Sequence, residues 1–157
     1  MELFHPRYIF DSGPFIDLKN YPDDVFTSLW KNLNQMIREG GIVSSSEVLR
    51  ELEDYDDEIA MWAKSNRRIF AKPTMEEQAD VRRILAMHPD LIKEEAILMG
   101  KPQADPFVIA QAMSHQCVLV HNEKMKPNAH RIPNVCKDFN VEEISLFEFF
   151  RRERWKF

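Results

Sequence analysis

Apolar residues recur along the chain in short continuous runs and in stripes at helical spacing, and the two alternate. Tyr8-Ile9-Phe10 is a run that ends at Asp11 and reads as a buried strand, stopped by a Ser12-Gly13-Pro14 turn. A short helical segment over Phe15 to Asn20 is expected next. Pro22 then opens a longer helix to Glu39, in which Phe26, Leu29, Trp30, Leu33, Met36 and Ile37 fall at 3-4 spacing and Gly40-Gly41 ends the stripe. Ile42-Val43 is a second short strand. Ser44, with Glu47 three residues on, has the pattern of a capping box for a helix whose apolar face is Val48, Leu49 and Leu52. The acidic stretch from Glu53 to Glu58 marks a break before a helix through Ile59, Trp62 and Ala63.

Thr74 and Glu77 make another capping box, opening a helix to Met87, and Pro89 to Met99 reads as one more helix, ended by Gly100. Asp105-Pro106 starts a helix that is apolar nearly all round from Phe107 to Met113, so it should be deeply buried. Cys117-Val118-Leu119-Val120 is the clearest strand, a continuous apolar run suited to a central parallel position. A polar loop from His121 to Pro133 leads to a short helix over Asn134 to Phe139. Val141 to Ile144 is a final edge strand and Ser145 to Arg154 a final helix. Strands alternating with helices imply an α/β layer fold with a mainly parallel sheet of about four strands.

Composition narrows the class. The 157 residues are 44% hydrophobic and 30% charged, as expected for one soluble globular domain over residues 1–157 with a core of its own. The longest uncharged run, Pro106 to Asn122, contains Gln111, Ser114, His115 and Gln116, and does not read as a membrane span. Met1 to Arg7 lacks the basic, apolar, small-residue order of a signal peptide, so a cytoplasmic protein is the default expectation. The net charge of −5 argues against a general nucleic-acid coat, though not against a local basic groove around an acidic, metal-loaded cleft. Cys117 and Cys136 have neither CxxC spacing nor a histidine partner at zinc spacing, and are expected to be free thiols.

In parallel α/β sheets ligands bind beyond the carboxyl ends of the strands, and that is where the acids gather. Asp11 follows the first strand. Glu47 and Glu51 lie on the helix after the second, Asp105 opens the helix leading into the next, and Glu123 lies just past that strand's end. Clustered carboxylates cannot all stay ionised together without a cation, and a set of three or four oxygen ligands suits Mg²⁺ or Mn²⁺. Such ions would activate a water and neutralise a phosphodiester in its transition state. Each acid also has a structural explanation. Asp11 could cap the turn, and Glu47 is accounted for by Ser44. Glu51 could belong to a solvated acidic face with Glu47 and Asp54, paired by Arg50. Asp105 is suited to capping its own helix before Pro106, and Glu123 could be a surface-loop residue, with Asn122 beside it able to serve instead.

These residues carry a resemblance in their order: Asp11-Ser12 after the first strand, then Ser44 to Leu52, then Ala104-Asp105-Pro106-Phe107-Val108-Ile109-Ala110-Gln111-Ala112, and last Val118 to Lys124. Together they resemble a PIN domain, the nuclease fold of many toxin ribonucleases in bacterial toxin–antitoxin pairs. The stretch from Ile132 to Phe157 resembles an uncharacterised PIN-like subfamily. The resemblance implies a three-layer α/β/α fold and Mg²⁺- or Mn²⁺-dependent RNA cleavage. By position it assigns Asp11, Glu51, Asp105 and Glu123 as catalytic and metal-binding acids, with Ser12, His121 and Asn122 in support. It also implies an RNA substrate, an antitoxin partner and a homodimer. Three positions depart from the usual pattern. His121 stands where a Thr or Ser is usual, Glu123 where Asp is usual, and Gly13 where Asn is frequent.

Two function classes therefore stand beside each other: a metal-dependent endoribonuclease acting as the toxin of a type II pair, and a catalytically weak or inactive PIN-like module that binds RNA or protein. A phosphoacceptor domain of the response-regulator kind would want paired acids after the first strand and a lysine near the last. A haloacid-dehalogenase-like phosphatase would want an Asp at position 13, which is Gly13. If the site works, Glu123 completes it and His121 lies at its rim, contacting a phosphate or orienting Glu123.

Overall fold

The structure, a computed structural model, describes residues 5–55 and 58–157. The start of the chain through Phe4 and the Asp56-Asp57 part of the expected acidic break lie outside the described residues. Five strands form one parallel sheet: β1 (Tyr8–Phe10), β2 (Ile42–Ser45), β3 (Phe70–Ala71), β4 (Val118–Val120) and β5 (Glu143–Ile144), in the order β3-β2-β1-β4-β5. The helices are α1 (Ser12–Asp17), α2 (Thr27–Arg38), α3 (Ser46–Glu53), α4 (Glu58–Ser65), α5 (Met75–Met87), α6 (Glu94–Leu98), α7 (Asp105–His115), α8 (Ile132–Asp138) and α9 (Leu146–Arg152).

The parallel α/β sheet is what the pattern predicts, and its three-layer α/β/α form is what the resemblance implies. The fifth strand, β3, is the correction to the expected count of about four. Two residues beside Arg67, Arg68 and Lys72 show no apolar run, and Phe70-Ala71 is extended only because it pairs with Ser44-Ser45 at the sheet edge. Chain order in the sheet runs one way from β1 through β2 to β3 and the other way through β4 to β5. Right-handed crossovers therefore put α1–α4 on one face and α5–α8 on the other. The helix contacts agree: α3 packs on α1 and α4, while α7 packs on α5, α8 and the three central strands. Nearly the whole of α7 from Pro106 to Ala112 is buried, as its all-round apolar sequence predicts.

Several boundaries move for local reasons. Ser12-Gly13-Pro14 does not stop the chain but forms the first turn of α1, where proline's missing N–H costs nothing. Pro22 to Phe26 closes on itself through the Val25 and Phe26 amides donating to the Pro22 carbonyl, so α2 begins only at Thr27. β2 runs on to Ser45, and the cap shifts with it. Ser45, not Ser44, accepts the Glu47 amide at 3.1 Å, and the Glu47 carboxylate pairs with Arg50 at 2.8 Å instead of closing a capping box. The Thr74–Glu77 box is present in full. The expected helix over Pro89 to Met99 is a 3-10 turn at Pro89–Leu91 followed by α6. α8 starts earlier than expected, at Ile132. The last strand is confined to Glu143–Ile144, and Ser145 caps α9 through the Glu148 amide.

The core is apolar on both faces of β1, which is wholly buried. Phe149 of α9, fully buried, sets its ring edge-on to Tyr8 (4.7 Å between centroids), Phe10 (5.0 Å) and Trp155 (5.2 Å), tying the last helix to the central strand. Phe149→Ala is expected to cost about 3–5 kcal/mol of unfolding free energy, against about 1 kcal/mol for Thr74→Ala, which removes only a cap. Denaturant unfolding of the two variants checks the ranking. Equal losses would show that α9 contributes no more than a helix end.

Candidate active site

The chain order reverses between β1 and β4, and at such a switch point a parallel α/β sheet forms its ligand crevice, beyond the carboxyl ends of the strands. Asp11 stands there, directly after β1. Its amide donates to the Val120 carbonyl at 3.0 Å, which extends the β1–β4 ladder by one rung and fixes the side chain at the strand exit. Asp11 occupies the N-cap position of α1, yet its side chain makes no capping bond, so the turn-cap explanation of this acid fails. The neighbouring strand end is braced. The Ser44 hydroxyl donates to the Phe10 carbonyl at 2.6 Å, and the buried Gln111 amide of α7 donates to the Ser44 carbonyl at 2.7 Å. Neither Ser44 nor Gln111 stands out in the sequence as part of the site.

Asp11 is 6% exposed, and its Oδ1 is buried without a hydrogen-bond partner. Burial pushes its carboxyl up to about 7, helped by the charges of Glu51 and Glu123 and opposed by the Ser12 amide. Asp105 is the first residue of α7, not its cap; Ala104 holds that position. Its carboxyl is raised well above the ordinary value by burial, then by the charges of Asp11, Glu123 and Glu51, and it shares a hydrogen bond with Glu123. Glu51, on α3, receives the Ala104 amide at Oε2 (3.5 Å) and the Ser12 hydroxyl, while its Oε1 is buried and unpartnered. Burial raises it too. Of the four unpartnered buried side-chain atoms among the described residues, two thus belong to acids at this crevice; the others are Oε1 of Gln111 and Oδ1 of Asn134.

Glu123 is held by backbone. Its Oε2 accepts the Ile132 amide at 2.9 Å, and its own amide donates to His121 Nδ1 at 3.0 Å. Because Nδ1 accepts, the imidazole carries its hydrogen on Nε2, which donates to Glu143 Oε1 at 2.9 Å. His121 is 2% exposed with both nitrogens occupied. It lies buried below the rim, and of the two roles expected for it these contacts match the orienting of Glu123. What it does is fix the main chain at Glu123. Asn122 is exposed and turns away from the acids, donating its amide to Asp17, and its side chain packs over Gly13, where an added Cβ would lie 3.4 Å from Nδ2. Ser12 acts on Glu51, and Glu47 is engaged by Arg50.

Asp11, Glu51, Asp105 and Glu123 are therefore brought within electrostatic reach of one another, whereas the Asn122 amide is taken up by Asp17. Among the described residues, no group of three or more His, Cys, Asp or Glu side chains is placed so that it could hold a metal ion as the side chains stand. The residues that sequence reasoning missed are the Ala104 and Ile132 amides, which carry no side-chain signal, and Glu143, which the register sets beside Leu119. Both cysteines are free, and burial pushes their thiols up, that of Cys117 to about 12, so neither is a reactive nucleophile.

A family described as "Domain of unknown function (DUF4411)" matches residues 8–157. The chain belongs to this family. No curated protein matches the DUF4411 chain. Among solved structures it is similar to a chain of VapBC2 from Rickettsia felis, determined bound to a DNA fragment from their promoter. The identity is 15% and the TM-score 0.53, over 88% of this chain and 97% of that one. That likeness shows a PIN-like fold. No helix among the described residues is long and apolar enough to cross a membrane.

The raised carboxyls have a measurable consequence. Asp11 titrates near 7 in the folded chain against 3.8 ordinarily, so folding takes up a proton between these values. Metal-free protein is accordingly expected to lose stability as pH rises from about 4 to about 7, and the upward shifts of Asp105 and Glu51 act with the same sign. Asp11→Asn, which cannot ionise, should melt above the parent in chelator at about pH 7.5 and show a shallower pH slope. Indistinguishable melting curves would mean that Asp11 ionises in the fold at no cost.

Proposed function

We propose that this chain is a Mg²⁺- or Mn²⁺-dependent endoribonuclease, a single PIN-like domain in which Asp11, Glu51, Asp105 and Glu123 hold the metal. One observation carries the reading: two of these acids bury a carboxylate oxygen with no partner, beside two further acids that repel them. A buried acceptor left unpaired is costly, and a set of oxygen donors facing inward suits a hard divalent cation. A bound ion of this kind supplies an activated water and neutralises phosphoryl charge.

The chain's own residues supply position. The Ala104 amide and the Ser12 hydroxyl orient Glu51, and the β1–β4 ladder sets Asp11. His121 and the Ile132 amide fix Glu123, which compensates for its arm being longer than an aspartate's. With Nδ1 and Nε2 both engaged, His121 is a positioning residue and not an acid–base catalyst. Both thiols are raised and neither serves as a nucleophile, and a metal-activated water is the nucleophile this site favours.

The PIN-like fold shared with a chain of a VapBC complex supports a toxin role in the cytoplasm, with an antitoxin as partner and a homodimer as the assembled form. An antitoxin would block the cleft by directing an Arg or Lys at the acids. Wild-type protein is expected to cut single-stranded RNA only with Mg²⁺ or Mn²⁺, and Asp11→Asn to lower the rate by about 100-fold or more while keeping a native circular dichroism spectrum. Equal cleavage by both proteins in chelator would sink the metal mechanism. For the toxin role, expression should arrest growth and Asp11→Asn should not. Unimpeded growth with active nuclease present would remove that role and leave the enzyme.

A further inference from the structure

Beside the acids lies a cavity of 280 Å³ lined by Ser12, Glu51, Asp54, Tyr55, Lys101 and Pro102. Four of its residues, Asp54, Tyr55, Lys101 and Pro102, have no part in the site as described, and Tyr55 and Lys101 carry groups that a nucleotide would use. Tyr55 follows Glu51 by four residues, past the end of α3, where its amide still donates to the Leu52 carbonyl. Lys101 precedes Asp105 by four residues in the segment that enters α7. The two segments that carry Glu51 and Asp105 thus each bring one further side chain to the same cavity.

The chemistry of these two residues is complementary to one nucleotide unit. Tyr55 is 50% exposed, uncommon for a ring of its size in a chain whose other tyrosines are largely packed, and the Lys19 ammonium lies 5.0 Å from its centroid. With Lys19 over one face of the Tyr55 ring, the other face is the one on which a base would stack, and the cation favours the phosphate attached to it. Lys101 is exposed at the cavity wall, a point charge in a region where Glu51 and Asp54 supply negative charge. A phosphodiester held at the acids therefore has a cation for the adjoining phosphate. The volume lies just below the range of small-ligand sites, about 300 Å³ upward, which suits one nucleotide unit and not a duplex.

We infer that this cavity is a nucleotide subsite of the cleft, with the base of a single-stranded RNA stacked on Tyr55 and the neighbouring phosphate on Lys101. The inference rests on the nuclease reading for its substrate class. It adds that the substrate is unpaired at this position, because a base must leave its stack to lie on the tyrosine.

Binding of a fluorescein-labelled single-stranded RNA hexamer, measured by anisotropy with Mg²⁺ in the Asp11→Asn background, tests it apart from turnover. Adding Tyr55→Ala is expected to weaken binding about 10-fold, whereas Tyr55→Phe, which keeps the ring, stays within about 2-fold. Adding Lys101→Ala should lower the slope of log affinity against log salt by about 0.7, and Lys101→Arg should keep it. A duplex of equal length should be bound no more weakly after Tyr55→Ala. Unchanged hexamer affinity and salt slope in Tyr55→Ala and Lys101→Ala would overturn the subsite, as would a parent that binds no RNA. Wild-type cleavage is scored separately. Cleavage with neither side chain affecting binding leaves the nuclease and removes the subsite, whereas binding sensitive to both without any cleavage keeps the subsite and removes the nuclease.

Discussion

The structure is constrained above all by acids held where water cannot reach them. Asp11 stands at the exit of a fully buried strand, its carboxyl pushed up to about 7 by burial and by neighbouring acids. Such an arrangement opposes folding unless the scaffold fixes it, because an unpaired buried acceptor costs about 1–3 kcal/mol. The scaffold does so through the parallel pairing of β1 with β2 on one side and β4 on the other, which sets Asp11 at the point where the chain order reverses.

From that pairing the remaining geometry follows. Gln111 and Ser44 lock the ends of β1 and β2 together, so the face of α7 that packs on the sheet also fixes where Asp105 begins the helix. Phe149 closes the far side of β1 with edge-on aromatic contacts. The acids are thus carried by backbone positions that the core determines, and the core's stability offsets their repulsion. A cation at the crevice would remove the same repulsion, which couples metal occupancy to stability as well as to chemistry.

The departures from the usual PIN pattern read as one local rearrangement. Glu123 is longer than aspartate, and its position is held by the Ile132 amide and by His121. His121 is in turn anchored by Glu143 of the edge strand. The Asn122 side chain packs over Gly13 and reaches across to Asp17, linking the exit of β4 to α1. Three differences that look independent along the chain meet at the exit of β4.

The sequence by itself determined the α/β class, the buried α7, the Thr74–Glu77 box and the order of acids after the strands. Each follows from local periodicity or from neighbours three and four residues apart. It also marked Asp11, Glu51, Asp105 and Glu123 as residues to inspect, because strand exits are readable from the end of an apolar run. Only the tertiary structure decided the rest. β3 exists because an edge needed a partner, Ser45 replaced Ser44 as cap because β2 ran two residues further, through Ser45, and His121 was drawn inward by Glu143, twenty-two residues away. The physical reason is the same in each case. A hydrogen bond between distant segments, or a carboxylate's loss of water, depends on what the fold places opposite it, and no local pattern records that partner.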